Sequence, residues 1–133
     1  MQKIHGGLTT TLTAPFDAVV ALVREALRTE GFGVLTEIDV KVTLKEKLGV
    51  DVPPHLILGA CNPPLAHAAI EADPDIALLL PCNVTVREEA GRVVVSIVDP
   101  ATMAATSSAP KLAEIAKNAR AKLGRVIEAL APR

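Results

Sequence analysis

The stretch Val84-Thr85-Val86-Arg87-Glu88-Glu89-Ala90-Gly91-Arg92-Val93-Val94-Val95-Ser96-Ile97-Val98 decides the fold class. Two runs rich in β-branched residues flank Glu88-Glu89-Ala90-Gly91, which is the pattern of an antiparallel hairpin. The incoming strand reads as Ile76 to Arg87 and the outgoing strand as Arg92 to Val98. Pro81 falls inside the incoming strand, where proline implies an edge, a bulge or a break. A sheet containing this hairpin is mainly antiparallel, and the flanking sequence says what covers it.

Downstream, Asp99-Pro100 is a cap followed by proline and opens a short turn near Met103. Ser107 or Ser108 with Pro110 then opens the longest helix, whose apolar stripe runs through Leu112, Ile115, Ala116, Ala119, Leu123, Val126, Ile127 and Leu130. Gly124 within that helix costs about 1 kcal/mol against alanine and points to a close neighbour, either the sheet or a second subunit. Upstream, Asn62-Pro63 starts a helix that lasts to about Ala72, after an uncharged strand His55 to Cys61. Thr43 and Glu46 have capping-box spacing ahead of a helix of about two turns that ends at Gly49. Val34, Thr36, Ile38 and Val40 alternate with Leu35, Glu37 and Asp39 and read as a strand with one wet face. Glu37 and Asp39 are then solvated carboxylates of that face. Pro15 begins a helix carried by Phe16, Val19, Val20, Val23 and Leu27 and stopped by Gly31; a first strand spans Gln2 to Leu12. The expected fold is α+β: a mainly antiparallel sheet of about five strands with helices on one face.

With 133 residues the chain is one domain, spanning 1–133. Aromatic residues make up only 2%, Phe16 and Phe32, with no Trp or Tyr, so the platforms that stack exposed bases are missing. Fourteen basic against fifteen acidic residues leave a net charge of -1, without the basic excess that nucleic-acid backbones select. Six of those basic residues lie from Lys111 onward, in and after the last helix, which reads as a solvated helix face. No apolar run reaches the ~20 residues of a membrane helix. Met1 to Gly7 lack the apolar stretch of a secretory signal, so the expected location is the cytoplasm, with no nucleic acid and no membrane as partner.

Two short motifs carry the chemistry. Gly59-Ala60-Cys61-Asn62-Pro63-Pro64 and Leu80-Pro81-Cys82-Asn83-Val84 each set a cysteine before an asparagine at a strand boundary or break. Cys61 stands just ahead of a helix N-terminus, where unpaired N–H groups and the helix dipole favour a thiolate. The ordinary account of each cysteine is a small buried hydrophobe. His67 sits one to two turns into the same helix, within conceivable reach of Cys61, although an exposed helix histidine is the plainer account. Cys61, Cys82, His67 and His55 match no zinc spacing, and no phosphate loop or nucleophile elbow occurs; Gly6-Gly7 is too sparse, and His5 carries no signal.

Four stretches, taken with Asp99-Pro100, carry a resemblance: Gly31 to Val40, Lys45-Glu46-Lys47-Leu48-Gly49, Ile57 to Pro63 and Leu79 to Val84. In order and over most of the chain, they resemble the family catalogued as domain of unknown function 302. The resemblance implies a small α+β domain like the TATA-binding-protein fold, homodimers in bacteria and archaea, and no established activity. Likeness to a DNA-binding fold does not carry DNA binding with it. The leading expectation is a cytoplasmic homodimer binding a small ligand or a metal at Cys61, Asn62, His67, Pro81, Cys82 and Asn83. The alternatives are an interaction module with packing cysteines, and a thiol-dependent enzyme with Cys61 as nucleophile and His67 as base.

Overall fold

The computed structural model describes residues 2–4, as backbone only, and 7–131. Its elements are β1 (Gln2–Ile4), β2 (Gly7–Leu12), α1 (Phe16–Thr29), β3 (Gly33–Asp39), α2 (Val40–Leu48), β4 (His55–Cys61) and α3 (Pro63–Ala72). A 3-10 segment (Pro74–Leu79) follows, then β5 (Cys82–Glu89), β6 (Arg92–Val98), α4 (Pro100–Ala104) and α5 (Pro110–Leu130). The strands form one sheet in the order β1-β2-β6-β5-β4-β3, and every pair is antiparallel. The fold is therefore α+β as expected, with the three-residue β1 added to the five main strands. The stretch Gln2 to Leu12, read as one strand, is two strands that pair with each other; His5 and Gly6 between them lie outside the described residues.

The hairpin is tighter than the sequence reading places it. Glu89 pairs with Arg92, so Ala90 and Gly91 alone make the turn, with φ of 52° and 77°. Positive φ at both central residues is the primed turn whose twist matches that of the strands. At the other end of β5 the expectation fails: Ile76 to Leu80 is not strand. Asp73 Oδ1 accepts from Asp75 N at 3.0 Å and starts the 3-10 segment, and β5 begins only after the cis Leu80–Pro81 bond. A side-chain cap followed by proline outweighs the apolar character of the run.

Helix boundaries follow their caps. α1 ends in a Schellman motif, with Phe32 N bonded to Leu27 O at 2.9 Å, Gly31 N to Arg28 O at 3.1 Å and Gly31 at φ 82°. α2 starts at Asp39, whose carboxylate accepts from Val42 N at 3.0 Å, rather than at Thr43. Asp39 closes the preceding strand and is already in cap position, so the capping-box spacing further on goes unused. α5 begins at Pro110, while Ser107 Oγ accepts from Ala109 N just before it.

The helices α1 and α5 pack against each other and against the sheet. Seven of the eight stripe residues expected on α5 are buried, Ile115 being half-buried, and Gly124 is buried within this one chain. Leu8, Leu27, Leu58, Ile97 and Leu123 are at most 1% exposed, and each such side chain contributes about 1.5–3 kcal/mol by leaving water. β3 is an edge strand and carries a bulge between Val34 and Thr36, and six of its seven residues are exposed rather than alternate ones. A second, smaller cluster joins Ala69, Ile76, Met103 and Leu112 beside the main core.

Candidate functional site

A cavity of about 370 Å³ opens at the end of the sheet where β4 finishes and β5 begins. Its walls come from α3, the 3-10 segment, α4 and α5, and its inner end is formed by Phe32 and Ala60. Local rules place each wall. The Schellman turn brings Phe32 inward immediately after α1, where it is 4% exposed. Asn62 caps α3 by accepting from Leu65 N at 3.3 Å, and its amide donates to Glu30 O at 3.3 Å. One carboxamide thus ties the end of α1 to the start of α3. Gly31 lies so close that a Cβ there would stand 3.0 Å from Asn62 Nδ2.

Gly59 has a comparable role one residue before Ala60. A Cβ on it would meet Thr36 Oγ1 at 2.1 Å and Pro81 Cγ at 2.7 Å, and both of those residues line the cavity. The bare Cα lets β3 and the Pro81 ring converge. A glycine inside a strand is the sequence signal for such an approach, and Gly59 carries it within the first cysteine motif.

The lining is apolar almost throughout. Among the described residues no Asp, Glu, Lys, Arg or His contributes to it; its polar members are Thr36, Asn62, Cys61 and Cys82. Cys61 and Cys82 are free thiols, each half-buried, and Cys82 pairs with Ala60, the residue next to Cys61. Burial pushes the Cys82 thiol up to about 11, with the neighbouring Cys61 adding to the rise. Cys82 is therefore a neutral thiol at ordinary pH. Among the described residues no three His, Cys, Asp or Glu side chains gather as a metal-binding group.

The residues singled out by sequence separate into two sets. Cys61, Asn62, Pro81 and Cys82 line the cavity. His67 does not: its side chain is 76% exposed and faces Glu71 at 3.6 Å, one helical turn along. No hydrogen bond joins it to Cys61 among the described residues. Asn83 is exposed and also lies outside the lining; it follows Cys82 along β5, so its side chain points to the opposite face of the sheet. A second hollow of about 350 Å³ lies elsewhere, between Pro15 to Asp17 and Asp39, Lys41 and Pro54 to Leu56. Burial and the charge of Arg87 lower the basicity of His55 there.

Comparison with known proteins places this architecture. The family model described as domain of unknown function DUF302 matches residues 8–130. The chain belongs to the DUF302 family. A solved DUF302 protein, described as an uncharacterized conserved protein from Bacillus stearothermophilus, has the same fold, with a TM-score of 0.87 and 28% identity. The match covers 95% of this chain and 98% of that one. No curated protein matches the chain. Both cysteine motifs of this DUF302 domain fall inside the matched range, at the cavity. Among the described residues no helix is long and apolar enough to cross a membrane.

Proposed function

We propose that this DUF302 domain binds a small, uncharged, largely apolar molecule in the cavity beside Cys61 and Cys82. The observation that carries the reading is a cavity of about 370 Å³ whose lining holds no charged side chain among the described residues. The Asn62 carboxamide is committed at both ends, to Leu65 N and Glu30 O, and has little left for a charged ligand. A carboxylate or ammonium group would lose its water without replacement, at a cost of several kcal/mol. A cavity of about 150 Å³ accepts benzene, so this one takes roughly fifteen non-hydrogen atoms. Binding is favoured over thiol catalysis because His67 faces away from Cys61 and Cys82 keeps its proton. In the cytoplasm, the expected compartment, both thiols stay reduced.

Titration with 1-methylnaphthalene and with 1-naphthoate, followed by NMR shifts of the Phe32, Met103 and Leu112 signals, tests the reading. The neutral compound is expected to shift them at concentrations at least tenfold below any effect of the anion. Equal or tighter binding of 1-naphthoate, or no shift from either, overturns it.

A second reading, association with another copy of the chain, draws support from the edge strand β3. Leu35 and Ile38 there are 69% and 50% exposed, large apolar side chains on an unpaired edge. Sedimentation of the wild type and of Ile38→Lys tests it: a dimer that dissociates in the variant supports the reading, and a wild-type monomer ends it.

A further inference from the structure

The cavity has an open mouth and a closed inner end. Leu35 and Ile70 at the mouth are 69% and 40% exposed, whereas Phe32, Ala60, Met103 and Leu112 are between 0% and 9% exposed. A molecule that reaches the inner end passes between the walls that flank it. Two wall units are concerned: α3 with the 3-10 segment on one side, and α4 with α5 on the other.

These units meet at their internal junctions. Asp73 stands where α3 hands over to the 3-10 segment, and Ser107 stands between α4 and α5. Ser107 Oγ donates to Asp73 Oδ2 at 2.5 Å and accepts from Ala109 N at 3.1 Å. The other carboxylate oxygen of Asp73 accepts from Asp75 N at 3.0 Å. Among the described residues, no other side-chain hydrogen bond crosses between the two units. What else holds them is the small apolar cluster of Ala69 and Ile76 with Met103 and Leu112, set apart from the main core. Cys82 and Val98 at the end of the sheet pack against the same cluster, whereas α5 continues into the main core through Leu123, Val126, Ile127 and Leu130.

We propose that the Ser107–Asp73 hydrogen bond is a latch that sets how fast the cavity exchanges its ligand. The proposal rests on the reading of the cavity as a ligand site and adds its regulation. The bond is short and charge-assisted, formed by side chains at the junctions within the two walls, and neither residue belongs to the lining. Losing it therefore changes the barrier to opening more than the affinity of the closed state. Its energy class corresponds to roughly a tenfold change in rate.

Exchange of 1-methylnaphthalene, measured by NMR line shape on the wild type, Asp73→Ala, Ser107→Ala and the double variant, tests the latch. Each single variant is expected to raise uptake and release together by roughly tenfold, with affinity within about twofold. The double variant is expected to be no faster than either single one, since the bond that joins the two walls is already gone in each, and the bonds to Asp75 N and Ala109 N lie within a single wall. Thr106→Ala, which removes only a bond to Met103 O within the same segment, is expected to exchange at the wild-type rate. Hydrogen exchange on the empty protein gives a readout without ligand: the amides of Ile76, Leu80 and Ser107 should lose protection in both single variants. Wild-type exchange rates in the variants, or multiplied effects in the double one, overturn the latch. If the wild type takes up no 1-methylnaphthalene, the ligand-site reading fails instead, and unchanged amide protection then overturns the latch on its own.

Discussion

Asp99, with no exposed side-chain surface, accepts a hydrogen bond at 3.1 Å from Nε of Arg120, which reaches across from α5. The same carboxylate caps α4 through Ala101 N at 3.0 Å. A sheet-end acid thereby fixes both the start of α4 and its distance from the long helix. Arg120→Ala should cost about 2 kcal/mol, the penalty for withdrawing a charged donor from a buried carboxylate. Urea denaturation measures it, and a loss below about 0.5 kcal/mol would show that the pair contributes little.

Ala90 holds φ at 52° in the hairpin turn, a conformation that L-residues other than Asn and Asp rarely adopt. Ala90→Asn should stabilise the protein by about 0.5–1 kcal/mol, because Asn-Gly is the preferred pair for this turn. Thermal unfolding should show a higher midpoint; a lower one would contradict the turn geometry.

Gly59→Ala should destabilise by about 1–3 kcal/mol, since the new methyl would overlap Thr36 and the rigid Pro81 ring. The variant Gly33→Ala serves as a control: nothing lies within 4 Å of a Cβ at that position. Equal midpoints for the two variants would refute the close approach.

Cys82 supplies a pH dependence with a definite sign. Its folded pKa of about 11 lies above the ordinary value of 9.0, so the folded state keeps a proton that the unfolded state releases. The stability this provides is whole below pH 9 and is lost as pH rises toward 11. The complete loss is about 2–3 kcal/mol. Comparing wild type with Cys82→Ala between these limits isolates the effect, and with no tyrosine in the chain no phenol titrates there. Parallel pH curves for the two proteins would rule it out.

The elements legible in the sequence are those set by local chemistry. β4 and α3 begin and end where the uncharged run His55 to Cys61 and the Asn62-Pro63 cap place them. The stripe of α5 is likewise legible, because burial on one helical face repeats in sequence. The Ile76 to Leu80 run misleads because an apolar run has the same composition in a strand and in a 3-10 turn. Whether an apolar side chain packs or lines a hollow is also invisible at that level: Leu112 and Leu123 look alike on the stripe, yet only Leu112 borders the cavity. Cys61 and Cys82 can be singled out by motif, but their common wall depends on the β4–β5 register. His67 is drawn in by its nearness along the chain, and the helical turn carries it outward to Glu71.

The strand order has a consequence for synthesis on the ribosome. β2 has β6 as its neighbour on the core side, with Leu8 opposite Ile97, so β2 waits until β3, β4 and β5 have been made before its partner exists. At translation rates of roughly 5–20 residues per second, that interval lasts on the order of five to twenty seconds. Throughout it, α1 holds Val19, Val23 and Leu27 without the long helix that later packs against it, and meets β3 and β5 only as they emerge. The strands β3 to β6 form a meander that can assemble as it emerges. The stretch from β2 through α1 is thus the part of the fold left open longest, and α5, which follows every strand of the sheet, is the helix that closes over it.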